Sequence, residues 1–132
     1  MPDLLCRRVS RPCSALESIA VFLALLLTSC ATTQGRNVSL GQTYPSRPEN
    51  CSVVVYKNIV PQQAFERIAR LDVHIERTHF SQSDFESALP ELKKQACLSG
   101  ADAIIEVQER SDSFRVENRV YHVTATGIKF NE

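Results

Sequence analysis

Glycine is scarce in this chain: its 132 residues hold four. A phosphate-cradling loop needs glycines so that backbone N–H groups can close around the anion, and no such loop is present. Neither Cys-x-x-Cys nor His-x-x-x-His occurs, so the common zinc and dithiol redox spacings are missing. No serine sits in Gly-x-Ser-x-Gly, the turn that exposes a hydrolase nucleophile. Net charge is missing too, because 15 basic residues balance 15 acidic ones. Such a chain lacks the field that draws nucleic acid, and Arg67, Arg70 and Arg77 do not form a basic stripe with interleaved aromatics. The longest apolar run, Ile19 to Leu27, has nine residues, against roughly 20 for a membrane-spanning helix.

That short run is nevertheless informative. Arg7, Arg8 and Arg11 precede it, and Leu27-Thr28-Ser29-Cys30 follows directly. A positive segment, an apolar segment and small residues before a cysteine resemble the lipobox of a bacterial lipoprotein signal peptide. The resemblance implies that residues 1–29 are removed and that Cys30 becomes a lipid-modified N-terminus. Each buried methylene of an acyl chain contributes about 0.8 kcal/mol, so two or three chains hold a protein on a bilayer. Ala31, rather than an aspartate, follows the cysteine, which points to the outer membrane, facing the periplasm. Three arginines and two acids leave with the signal peptide, so 12 basic and 13 acidic residues remain. Cys6 and Cys13 leave as well. Cys51 and Cys97 are then an even pair in an oxidising compartment, available either for a disulfide or as two separate half-buried thiols.

The mature chain divides into a spacer and a domain. Residues 30–50 carry the lipidated cysteine and then Thr, Gln, Gly, Asn, Ser and Pro with little apolar periodicity, which reads as a flexible or extended linker. Fully extended, such a segment reaches about 65 Å. The folded domain is expected over 51–132, long enough for one small core. Ser52 to Tyr56 is dense in β-branched residues and reads as a buried strand. Pro61 to Ala69 reads as a short helix, with Ala64, Phe65, Ile68 and Ala69 on one face. Leu71 to Thr78 alternates apolar and polar, the mark of a strand with one face on a core. Ser83 with Glu86 makes a capping-box pattern before a second helix, which Pro90 interrupts or starts and Gly100 ends. Ala101 to Phe114 and Val120 to Phe130 read as two more strands, joined by a turn at Glu117-Asn118. The expected fold is α+β, a two-layer sandwich in the order β-α-β-α-β-β, with two helices on one face of a four-stranded sheet.

The run Leu92-Lys93-Lys94-Gln95-Ala96-Cys97-Leu98-Ser99-Gly100-Ala101-Asp102-Ala103-Ile104-Ile105 resembles the L-K-x-x-A-x-x-x-G-A-D-A-V-I signature of the YbjQ-like and RcsF-like small domains. Val53 to Tyr56, Pro61, and Phe65 to Ala69 resemble the first strand and short helix of the same domains. The likeness spans Ser52 to Phe130. It implies an outer-membrane lipoprotein that reports envelope damage through protein contacts. It also brings alternatives, because YbjQ-like domains are described as heavy-metal-binding and ring-forming. The RcsF-like stress sensor carries two disulfides, whereas Cys51 and Cys97 supply one pair here.

Candidate chemistry is thin. His74, His79 and His122 are the three histidines. His74 shares a strand face with Asp72 and Glu76, so Asp72, His74 and His122 are the candidate metal ligands should the strands face each other. A solvated polar sheet face is the plainer reading of the same pattern. Glu106, Glu109 and Asp112 with Arg110 and Arg115 read as alternating charge on an exposed strand. The sequence supports no enzyme and no cofactor. The expected partner is an envelope protein, met on the second sheet face around Asp72, His74, Glu76, Ile104 and Glu106, with a homo-oligomer as the rival arrangement.

Overall fold

The computed structural model describes residues 32–78, 83–114 and 118–131. The signal segment 1–29, Cys30, His79 and Arg115 lie outside the described residues. Five strands and one helix follow one another: β1 (Thr32–Ser39), β2 (Val54–Val55), β3 (Phe65–Thr78), α1 (Phe85–Leu98), β4 (Ala103–Phe114) and β5 (Asn118–Phe130). The strands form one mixed sheet in the order β1-β3-β5-β4-β2. Only the β2–β4 pairing is parallel. The protein is therefore α+β, with α1 packed on one face of the sheet.

Strict alternation builds the covered face. Leu71, Val73 and Ile75 of β3 and Val123 of β5 have no exposed surface, and Tyr121 and Ala125 have little. Against them α1 sets Ala88, Leu92, Ala96 and Cys97, all fully buried. These helix positions fall at i, i+4, i+8 and i+9, one stripe of a 3.6-residue period. Burying a side chain the size of Leu92 contributes about 2–3 kcal/mol.

The ends of α1 are fixed by particular side chains. Asp84, not Ser83, is the N-cap: its Oδ1 accepts from the backbone N–H of Ser87 at 2.9 Å and from the Ser87 hydroxyl at 2.7 Å. Those bonds hold the Asp84 carboxyl below the usual carboxylate range. The helix runs through Pro90 without interruption. It stops at Gly100, whose φ of 81° suits glycine. A Cβ there would also come within 2.8 Å of both the Pro45 carbonyl oxygen and the Tyr44 Cβ.

Two expectations from sequence are corrected. The segment read as a helix, Pro61 to Ala69, holds no helix, and its second half opens β3. The cause is a β-bulge: Arg67 pairs with Ile128 and Ala69 with Gly127, so Ile68 is an extra residue. Before the bulge Phe65 faces one side of the sheet, and after it Ile68 and Ala69 join the core on the other. The apolar spacing 64, 65, 68, 69 therefore imitates a helical stripe. Among the described residues the sheet accordingly has five strands rather than four, and one helix rather than two packs on it.

The segment read as linker is also part of the fold. Eight of its residues are β1, paired antiparallel with β3 from Thr32–Glu76 to Ser39–Ala69. As an edge strand it lacks apolar alternation, and polar contacts dock it to α1. Gly35 lies so close to the helix that a Cβ would overlap Glu91. Asn37 Nδ2 donates to Gln95 Oε1 at 2.7 Å, and Gln95 Nε2 donates to Glu91 Oε1 at 2.8 Å. Beyond β1 the chain crosses the end of α1, where Arg47 Nη1 reaches the Ala101 carbonyl at 2.9 Å and Asp102 Oδ1 at 3.0 Å. It then ties to the helix through a disulfide between Cys51 and Cys97, whose Cα atoms are 5.8 Å apart. Closing a loop across a 46-residue separation stabilises the fold by about 4 kcal/mol in the chain-entropy account. The strand expected over Ser52 to Tyr56 shrinks to Val54–Val55.

Candidate functional site

Among the described residues no helix lies over the sheet face opposite α1, and register lines polar side chains on it into rows. Gln34, His74, His122 and Arg110 lie side by side across β1, β3, β5 and β4. The next row is Arg36, Asp72, Thr124 and Gln108. Directly opposed residues point to the same face of an antiparallel sheet, so each row is a continuous polar strip.

The histidines meet edge to face, with ring centroids 5.1 Å apart and an interplanar angle of 86°. Each also faces a carboxylate. His122 Nε2 lies 2.8 Å from Asp72 Oδ1, and His74 Nε2 lies 3.0 Å from Glu76 Oε1. Arg36 Nη2 approaches the second Asp72 oxygen at 3.6 Å. The candidate metal ligands Asp72, His74 and His122 are thus neighbours, but they are arranged as two separate imidazole–carboxylate contacts. Among the described residues, no group of three or more His, Cys, Asp or Glu side chains is placed to hold a metal ion.

Glu106 stands on the same face. Its carboxylate accepts from Arg67 Nε at 3.2 Å and Nη2 at 2.5 Å, and from the Thr126 hydroxyl at 2.9 Å. The Arg67 hydrogen bonds, then that of Thr126, hold the Glu106 carboxyl below its ordinary range. The guanidinium of Arg67 is shifted up in turn. Ile104 does not belong here. It is fully buried on the α1 side, and this corrects its assignment to the interaction face. Residues two apart share a face only while a strand is regular, and β4 bulges where Ile105 pairs with Thr126 and Gln108 with Thr124. The backbone of Glu106 turns left-handed in that bulge, with φ of 55°, and carries its side chain to the open face.

The carboxylates read together from sequence are split between the two faces. Glu109 sits toward α1, where it accepts a hydrogen bond from the Tyr121 hydroxyl at 2.5 Å and pairs with Lys57. Lys57 first and Tyr121 second keep Glu109 below the usual carboxylate range. Burial, then the bond to Glu109, push the Tyr121 hydroxyl above its ordinary value. Cys51 and Cys97 also lie on the α1 side, bonded to each other and apart from this face.

Two shallow depressions cross the open face. One, of about 440 Å³, is bordered by Gln34, Arg36, Asp72, His74 and His122. The other, of about 550 Å³, lies between the two bulges and includes Arg67, Arg70, Glu106, Gln108, Thr124 and Thr126. The polar alternation of β5 (His122, Thr124, Thr126) was legible as a strand face, but the rows from β1 and the placing of Arg67 and Arg70 depend on register.

No family model matches the chain, and no curated protein matches its sequence. Among solved structures it is similar to the crystal structure of the Francisella virulence factor FvfA. That likeness covers 71% of this chain and 97% of the other, at 17% identity and a TM-score of 0.47. It carries no argument about what this chain does.

Proposed function

We propose that this chain is an envelope lipoprotein, held in the outer membrane through Cys30, that acts by contact with a partner protein rather than by catalysis. The observation that carries the reading is the sheet face opposite α1, on which Asp72, His74, Glu76 and His122 form one polar group and Glu106 with Arg67 and Thr126 another. Part of that surface is neutralised internally, as in Arg67–Glu106 and Asp72 with Arg36. A partner bringing its own charge pattern therefore meets groups of both signs held in register, which serves orientation and selectivity more than raw affinity. Tethering raises the local concentration of such a surface, so a weak contact suffices. The RcsF-like resemblance supports a role in reporting envelope stress.

Two measurements test this reading. Intact-mass analysis of the native product should give a chain beginning at Cys30 with acyl chains attached, and an unacylated N-terminus upstream of it would remove the anchor. A photo-crosslinking residue at His74 or Glu76 should capture an envelope protein, whereas one at Lys93 on α1 should not. Equal capture from both faces would refute the assignment of the surface.

A further inference from the structure

We propose that the depression between the two β-bulges binds a small molecule carrying an oxyanion, a carboxylate or a phosphate, with Arg70 as its charged contact. This inference stands apart from the anchoring and partner reading, since it concerns a small ligand and holds wherever the chain resides.

Three independent features converge on the spot. The first is a pair of bulges at one level of the sheet, one in β3 at Ile68 and one in β4 across 106–107, on either side of β5. Bulges re-aim side chains and interrupt pairing, and they gather beside binding sites. Here they open a depression of about 550 Å³ on a face that regular strands would leave flat.

The second is the backbone of Glu106. A left-handed φ of 55° on a residue with a Cβ is a rare, strained conformation, kept only where the surroundings hold it. Arg67 and Thr126 supply that hold through four hydrogen bonds to the carboxylate. The result is a neutral, fixed wall.

The third is Arg70. It borders the same depression and is exposed, and among the described residues its guanidinium has no ion-pair or hydrogen-bond partner. Within the hollow, Arg67 is matched by Glu106, so Arg70 contributes the uncompensated positive charge. A guanidinium presents donors in a planar fork that fits the paired oxygens of a carboxylate or phosphate. Thr124 and Gln108 border the same depression, and a hydroxyl and an amide can both donate to further oxygens. Leu40 adds an apolar edge, which suits an oxyanion borne on an organic body.

The test is a nuclear magnetic resonance titration of the isotope-labelled full chain in detergent micelles. Inorganic phosphate is used in one arm and citrate in the other, at constant ionic strength. The expected result is saturating shifts at the Arg70 side chain and at the amides of Gln108, Thr124 and Thr126. Arg36 and Arg110, exposed arginines elsewhere on this face, should not shift. The anion that saturates at the lower concentration identifies the ligand as phosphate or carboxylate. Arg70→Gln should weaken binding about tenfold or more, the loss of a charge-assisted contact, while Arg36→Gln should leave it unchanged. Glu106→Gln should tighten it, since Arg67 loses its compensating carboxylate and adds a second free positive charge. Linear shifts with both anions, equal response at Arg36, unchanged affinity in Arg70→Gln, or weaker binding in a folded Glu106→Gln would each overturn the proposal.

Discussion

The two faces of the sheet obey different rules. Toward α1, alternate residues from Ala69 to Ile75 of β3 and from Tyr121 to Ala125 of β5 are apolar and buried, and each is placed by the need to leave water. On the other face the same strands carry His, Asp, Thr and Arg, placed by register and joined in pairs. The difference teaches where stability and recognition reside. The first face is close to irreplaceable, and so is the end of the second where Ala103, Ile105 and Ile128 are buried against Phe65 and Phe130; the polar rows beside that cluster can vary at little cost to folding and are therefore open to function.

The sharpest way to break this comparison is to attack the covered side. Replacing Cys51 and Cys97 together with Ala should lower stability by about 4 kcal/mol, read from urea unfolding at constant protein concentration. A change under about 1 kcal/mol would mean that the strap over α1 is held by its polar contacts instead. Ile75→Ala should cost about 3 kcal/mol, whereas His74→Ala, its neighbour in sequence and opposite in face, should stay within about 0.5 kcal/mol. Similar losses for both would erase the distinction. Gly100→Ala should cost more than about 1 kcal/mol, because a Cβ meets both the positive φ and the chain at Tyr44-Pro45.

The smallest effects concern two carboxylates on opposite faces of β4. Glu106 and Glu109 both ionise more readily in the folded protein than unfolded, through hydrogen bonds from a cation and a hydroxyl. Each therefore adds stability that is complete above the unfolded value of about 4.3 and is lost as pH falls through the folded one. Tyr121 works in the other direction. Its contribution is whole below about pH 10 and fades as pH rises through the raised folded value. Glu106→Gln and Glu109→Gln should each flatten the acid limb of a stability profile between about pH 2 and 5, and Tyr121→Phe should flatten the alkaline limb above about pH 10. An unaltered acid limb in Glu106→Gln alone would show that the open face contributes nothing to folding even through its ion pairs.

Much of the covered face was legible in the sequence because burial writes a period. The alternation from Leu71 to Ile75, the stripe through Leu92 and Ala96, and the Gly100 stop all appear where the pattern places them. The failures share a cause. The bulge at Ile68 turned a strand into a false helical stripe, and the bulge after Ile105 broke the rule that would have put Ile104 and Glu106 together. β1 left no pattern, since an edge strand docked through Gly35 and Asn37 needs no apolar alternation. The open site was half visible: Asp72, His74 and Glu76 share a face by parity, but their meeting with His122 and Arg36 depends on cross-strand register, which local sequence does not encode.

That β1 begins at Thr32 has a mechanical consequence for the proposed lipoprotein. Two residue steps, about 7 Å of backbone, separate the acylated position from the first rung of the sheet. An acylated Cys30, as proposed, would make the protein ride on the bilayer as a mounted badge rather than as bait on a line. Its search for a partner would then be confined to two dimensions, and only molecules gliding within the same leaflet, or descending to touch it, would come into range.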